Sequence, residues 1–262
     1  MYAWKCWRES RARFFFLLTM SAATTLLFTL MQGITERDGW WHFDRQAYTR
    51  DPATMVQLVS MMVLIGLWCS GFLSPLFLGA TASGSEIEPG TIEYLWTRPR
   101  TRASVTWTHW CICLAEMAVV AVAPTYLAAA ILGKLTGIWY FPLLLMAPWM
   151  TVIVGLPILG LTMLMTALRR SASGGLIYTA AVISVYVAVR QIITVPLHLN
   201  LPPLFAGPLV WLMNSTPFVP VNLAHPLFPW MGPFPWGSLM RCIFLAAAFP
   251  LAAQYLLKRA EV

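Results

Sequence analysis

The sequence predicts an all-α integral membrane protein: six transmembrane helices in a single transmembrane domain over residues 1–262. Three observations predict this. The chain is 59% hydrophobic and only 10% charged, too few polar residues to cover a soluble globule. Several charge-free runs exceed the ~20 residues that cross a bilayer as a helix. The basic residues gather at the ends of those runs, as the positive-inside rule requires and unlike a nucleic-acid-binding patch, so the +7 net charge points to membrane lipid and not to nucleic acid.

Residues 1–13 mix Trp4 and Trp7 with Lys5, Arg8, Arg11 and Arg13, which suits an N-terminal helix lying in the headgroup layer. Span 1 follows at about 14–31. It is long and lacks a small-residue cleavage site, so no cleavable signal peptide is expected. Its threonines can bond back to the helix. Residues 32–51 carry three basic and four acidic side chains and read as a solvated outer loop. The His42 and Asp44 pair is too sparse for a metal site.

Span 2, about 54–78, contains Gly66, Gly71 and Pro75, which allow close helix approach and a kink. Span 3 runs about 105–132 and holds Glu116, roughly 18 Å in from Ser104 at 1.5 Å per residue. That count places an acid near mid-bilayer and makes Glu116 the candidate pathway residue. The competing reading is a protonated or hydrogen-bonded carboxyl between helices.

Span 4, about 143–168, is charge-free, with Trp139, Tyr140 and Trp149 as interfacial anchors. The SASGG sequence after Arg170 reads as a turn into span 5, about 176–195. Residues 191–240 lack Asp, Glu, Lys and Arg yet hold ten of the 19 prolines. So apolar and so proline-rich a stretch predicts a re-entrant segment between spans 5 and 6. His198 and His225 lie there as structural residues. Span 6 covers about 238–257. The cysteines, Cys6, Cys69, Cys111, Cys113 and Cys242, form no disulfide framework and read as packing residues.

Between spans 2 and 3, Glu86–Arg102 (EIEPGTIEYLWTRPRTR) holds six of the 27 charged residues. Pro89-Gly90-Thr91 breaks the preceding structure. Thr91 can serve as N-cap, with Glu93 in the first turn where the helix dipole favours an acid. Ile92, Leu95 and Trp96 fall at i, i+3 and i+4 and make one apolar face. Arg98 before Pro99 ends the helix. A short amphipathic helix presented between two spans is a docking handle.

Here the chain resembles a family. The pattern E-x-E-x-G-T-x-E-x-L followed by P-x-x-R, carried by Glu86, Glu88, Gly90, Thr91, Glu93, Leu95, Pro99 and Arg102, is similar to the first cytoplasmic loop of type-2 ABC transporter permeases. The resemblance covers about 17 residues. It implies that this helix is a coupling helix seated on a separate ABC ATP-binding subunit, with Glu88, Gly90, Thr91, Ile92, Glu93, Leu95, Trp96, Arg98, Pro99 and Arg102 at the docking site. It also implies an N-terminal interfacial helix, a re-entrant segment on the exit side, and a second permease subunit as homodimer or heterodimer. Many members place a lysine about ten residues after the motif proline, where this chain has His109.

Orientation follows from counting. With the N-terminus inside, Lys5, Arg8, Arg11, Arg13, Arg98, Arg100, Arg102, Arg169, Arg170, Lys258 and Arg259 lie inside, eleven against the six of Arg37, Arg45, Arg50, Lys134, Arg190 and Arg241. Both termini and the docking helix are therefore expected in the cytoplasm, at the cell (cytoplasmic) membrane. The chain has no P-loop of its own, no G-x-S-x-G elbow and no H-E-x-x-H motif. It is expected not to be an enzyme and to carry no cofactor, ATP and Mg belonging to the partner subunit. Two other classes are a membrane scaffold or assembly protein and an intramembrane lipid-modifying enzyme built around Glu116, His109 and the outer histidines.

Overall fold

The computed structural model of the protein describes residues 2–31, 34–37, 40–44, 46, 73–80, 102–139, 142–198 and 236–259. Among them are five long helices: α1 (Tyr2–Met31), α2 (Arg102–Thr136), α3 (Pro142–Arg169), α4 (Ala172–His198) and α5 (Trp236–Arg259). Residues 73–80 are also helical. Three helices hold stretches long and apolar enough to cross a membrane, at Ser10–Met31, Thr106–Thr136 and Thr151–Arg169. Shorter apolar stretches occupy Ala172–Tyr186 in α4 and Met240–Leu256 in α5. The chain is thus helical and compatible with a membrane protein. Expected spans 1, 3, 4, 5 and 6 coincide with α1 to α5. Of span 2 only residues 73–78 are described, and most of the proline-rich stretch lies outside the described residues.

One expectation is corrected. Residues 1–13 are not set apart as an interfacial helix, because α1 runs unbroken for 30 residues, about 45 Å. Within the stretch read as a solvated loop, β1 (Ile34–Arg37) and β2 (Trp40–Phe43) pair antiparallel, Ile34 opposite Phe43 and Arg37 opposite Trp40. The two residues between them are Asp38-Gly39, a favoured pair for two-residue hairpin connections. His42 faces Thr35 across the ladder. The backbone N–H of Gln46 donates to the Asp44 carboxylate at 2.8 Å.

The chain divides into two compact units, Met1–Leu78 with Thr108–Gly155, and Gly79–Trp107 with Leu156–Val262. In the first, α1 buries Cys6, Ser10, Phe14, Leu17, Ser21, Thr25 and Thr29 at steps of three and four residues and exposes Phe15, Phe16, Met20 and Leu27. Water would favour the reverse. Small polar residues inward and large apolar ones outward suit a lipid surround, where van der Waals packing and hydrogen bonds join helices. The threonines do bond back, Thr24 to the Met20 carbonyl at 2.8 Å and Thr29 to that of Thr25 at 2.7 Å.

α2 ends at Gly137, which adopts φ +77° and donates its N–H to the Gly133 carbonyl at 3.0 Å, the left-handed glycine cap of a helix C-terminus. The chain reverses into α3, with Ala128, Ala129, Leu132 and Leu144 closing a small core. Tyr126 donates its hydroxyl to the Leu145 carbonyl at 3.1 Å and accepts from the Trp149 indole at 2.9 Å. Trp139 and Trp149 are both exposed, as expected of anchors.

In the second unit, α3 and α4 meet at a tight reversal. Arg170 takes φ 51°. The Gly174 N–H donates to Ser171 Oγ at 3.2 Å, and the Gly175 N–H to the Ser171 carbonyl at 2.9 Å. SASGG is therefore not a loop: Ser171 is the N-cap of α4 and the other four residues form its first turn. Replacing Ser171 with alanine is expected to cost about 1 kcal/mol, read as a lower unfolding temperature, with Asn restoring most of it. The Arg169 guanidinium lies 3.6 Å from the centroid of the Tyr178 ring. Glycines let the backbones approach: a Cβ at Gly160 would lie 3.1 Å from Phe249 Cβ, and one at Gly79 2.8 Å from Thr162 Cβ.

Candidate functional site

Of the docking residues, Glu88, Gly90, Thr91, Ile92, Glu93, Leu95, Trp96, Arg98 and Pro99 lie outside the described residues. Arg102 is the first residue of α2. The other candidate, Glu116, sits in a buried polar cluster between α1 and α2.

The cluster arises from two spacings. On α1, Cys6 and Ser10 stand one turn apart. On α2, His109, Cys113 and Glu116 stand at i, i+4 and i+7, one stripe of a helix. All five are buried. Cys6 Sγ lies 3.3 Å from His109 Nε2. Ser10 Oγ is hydrogen-bonded to Glu116 Oε1 and 3.2 Å from the Trp7 carbonyl. Farther along, Ser21 donates to the Val120 carbonyl at 3.0 Å. Cys113 donates weakly to the Leu78 carbonyl at 3.5 Å, joining residues 73–78 to α2. Cys111, two residues away, is exposed.

These pairs ascend together, 6 with 109, 10 with 116, 21 with 120, so α1 and α2 run parallel. The N-terminal parts of α1 and α2 accordingly lie side by side.

Glu116 lies within the apolar stretch Thr106–Thr136 of α2, and Ser10 opens the apolar stretch Ser10–Met31 of α1.

Glu116 Oε2 is buried with no hydrogen-bond partner among the described residues, and so is Ser74 Oγ. Among the described residues no group of three His, Cys, Asp or Glu could hold a metal ion. What the cluster can do is tie two helices through polar contacts. Sequence reasoning assigned Cys6 to packing and Ser10 to the N-terminal interfacial helix. Their i, i+4 spacing ahead of span 1 was the signal, and only the helix register makes it readable. His198 closes α4, and His225 lies outside the described residues.

No family model matches the chain, and neither a curated protein nor a solved structure matches it.

Proposed function

We propose that the protein is the membrane-spanning permease subunit of an ATP-driven ABC exporter of the type-2 kind. Six spans cross the cell membrane with both termini cytoplasmic. A second permease subunit, identical or related, faces this one, and separate ATP-binding subunits carry the ATP and Mg. Closure of the ATPase pair pushes on the Ile92–Trp96 helix through its apolar face, while Glu88, Glu93, Arg98 and Arg102 fix its register. The spans then rock, and substrate leaves beneath the proline-rich segment before span 6.

The observation that carries this reading is the Glu86–Arg102 motif itself, an amphipathic helix sequence set between two apolar runs. Two features support it. The motif ends where α2 begins, at the end of the α1–α2 pair that also holds the N-terminus. Along α1 and α2 that end carries Lys5, Arg8, Arg11 and Arg13, against Lys134 and, past α1, Arg37 at the other, as the cytoplasmic side should. Glu116 and His109 belong to the α1–α2 contact, which gives Glu116 a helix-tying role in this mechanism beside its role as the candidate pathway residue.

Co-purification tests it. The tagged chain, co-expressed with an ABC ATPase encoded beside it and extracted in mild detergent, is expected to retain the ATPase stoichiometrically. A Glu93→Lys, Leu95→Asp variant reverses a charge and ends the apolar face, and is expected to lose at least ten-fold of the bound ATPase. Equal retention by both chains would move the docking site elsewhere. A well-folded parent that retains no ATPase would favour the scaffold reading.

A further inference from the structure

We propose that Trp4, Arg8, Arg11 and Phe15 form a stripe on α1 that binds the headgroup of an anionic phospholipid. The four stand at i, i+4, i+7 and i+11. At 3.6 residues per turn, that spacing keeps them within about 60° of one another around the helix. All four are exposed, Trp4 at 67% and Phe15 at 55%. The buried residues of the same turns, Cys6 and Ser10, lie on another side of α1, where they meet α2.

Charge decides what the stripe takes. Arg8 and Arg11 stand about 4.5 Å apart along the helix axis, close enough to share one anion and to repel each other without it. Glu9 is the one acid in α1. It is one residue from Arg8 and two from Arg11, spacings that do not face each other on a helix. Among the described residues neither arginine stands in an ion pair. Arg13, about half a turn round from the stripe, stands apart from it. A guanidinium meets a phosphate through two parallel hydrogen bonds, so two of them one turn apart suit the phosphate of a lipid headgroup.

Place decides that the phosphate belongs to a lipid. Ser10 opens the apolar stretch Ser10–Met31, so Arg8 and Arg11 straddle its edge, within about 3 Å of it. Lipid headgroups begin just outside the hydrocarbon. Cα–Cβ bonds tilt toward a helix N-terminus, which at this end leads out of the apolar stretch. Arg11 can therefore snorkel outward while its stem stays among apolar groups. Those groups are aromatic: one turn either side of Arg11, the Trp7 ring lies 5.3 Å from Phe14 and 6.4 Å from Phe15 between centroids. The exposed Phe15 offers an acyl chain an apolar contact, and Trp4 suits the headgroup layer. The inference rests on α1 crossing the membrane and holds for a permease and a scaffold alike.

The test is native mass spectrometry of the full purified chain, delipidated in mild neutral detergent and titrated with phosphatidylglycerol or phosphatidylcholine. The parent is expected to take its first phosphatidylglycerol at a concentration at least ten-fold below that for phosphatidylcholine. Arg8→Gln with Arg11→Gln should abolish that preference. Either substitution alone should weaken it, and carries the test should the pair fail to fold. Lys134→Gln, which removes an exposed charge at the far end of α2, should leave the preference intact, and inorganic phosphate should not displace the lipid. Three results would overturn the proposal. The preference could survive in the double variant; if a second copy or a co-purifying ATPase is lost instead, the stripe belongs to a protein. Lys134→Gln could lose as much of it, so that only net charge is read. Inorganic phosphate could displace the lipid, which would make the stripe a free-anion site.

Discussion

Gly175→Leu is expected to abolish a stable fold in the second unit, and Gly175→Ala alone to cost roughly 3 kcal/mol or more. A Cβ built at Gly175 meets Thr166 Oγ1 at 2.0 Å, Thr166 Cα at 2.7 Å and Thr166 Cβ at 2.8 Å. Two of those atoms cannot rotate away. The helices α3 and α4 would have to separate, and the tight reversal at Arg170–Ser171 leaves no slack for that. Interiors are packed densely enough that such a shift is felt along the whole contact. Thr166→Ala should relieve Gly175→Ala only in part, because it removes Oγ1 and leaves Cα and Cβ in place. Folded yield on size exclusion, with the unfolding temperature of the survivors, reads both effects. An unaltered Gly175→Leu would mean that α3 and α4 do not meet here.

Glu116→Lys is the second large effect. The substitution sets a cation in the cluster that already holds His109 and is faced by Arg13, and no acid stands among those neighbours. Ser10 can still accept from the ammonium, but an uncompensated buried charge costs about 3–5 kcal/mol. The expected outcome is a sharp loss of folded protein, whereas Glu116→Gln stays near the parent at neutral pH. Detergent-extracted yield and thermal unfolding distinguish the two. If lysine and glutamine behave alike, the site is open to water and the α1–α2 contact is looser than the burial of Ser10 and Glu116 indicates.

Hydropathy and span length were enough to place the helices. The expected span at about 105–132 is α2, Arg102–Thr136, and that at about 143–168 is α3, Pro142–Arg169. Such boundaries are legible because apolar run length is a one-dimensional property. The cap at Ser171 and the hairpin about Asp38-Gly39 also had local signals, a serine three residues before a glycine N–H and a favoured turn pair. They were masked by their settings, a turn-like SASGG and a strongly charged loop. For the Ser10–Glu116 and Cys6–His109 pairs the local signal, the i, i+4 spacing of Cys6 and Ser10, names no partner. They depend on the register of two helices a hundred residues apart, and register is set by packing along the whole contact.

One measurement bears most directly on whether the Glu86–Arg102 stretch faces the ATPase side. Tyr94→Cys, in a chain whose native cysteines are replaced, would be exposed to a membrane-impermeant maleimide in intact cells and in inside-out vesicles. The permease reading predicts labelling in the vesicles alone, and protection there once the partner ATPase is co-expressed. Labelling of Cys-substituted residue 94 in intact cells would put the stretch outside and contradict both the orientation and the docking role.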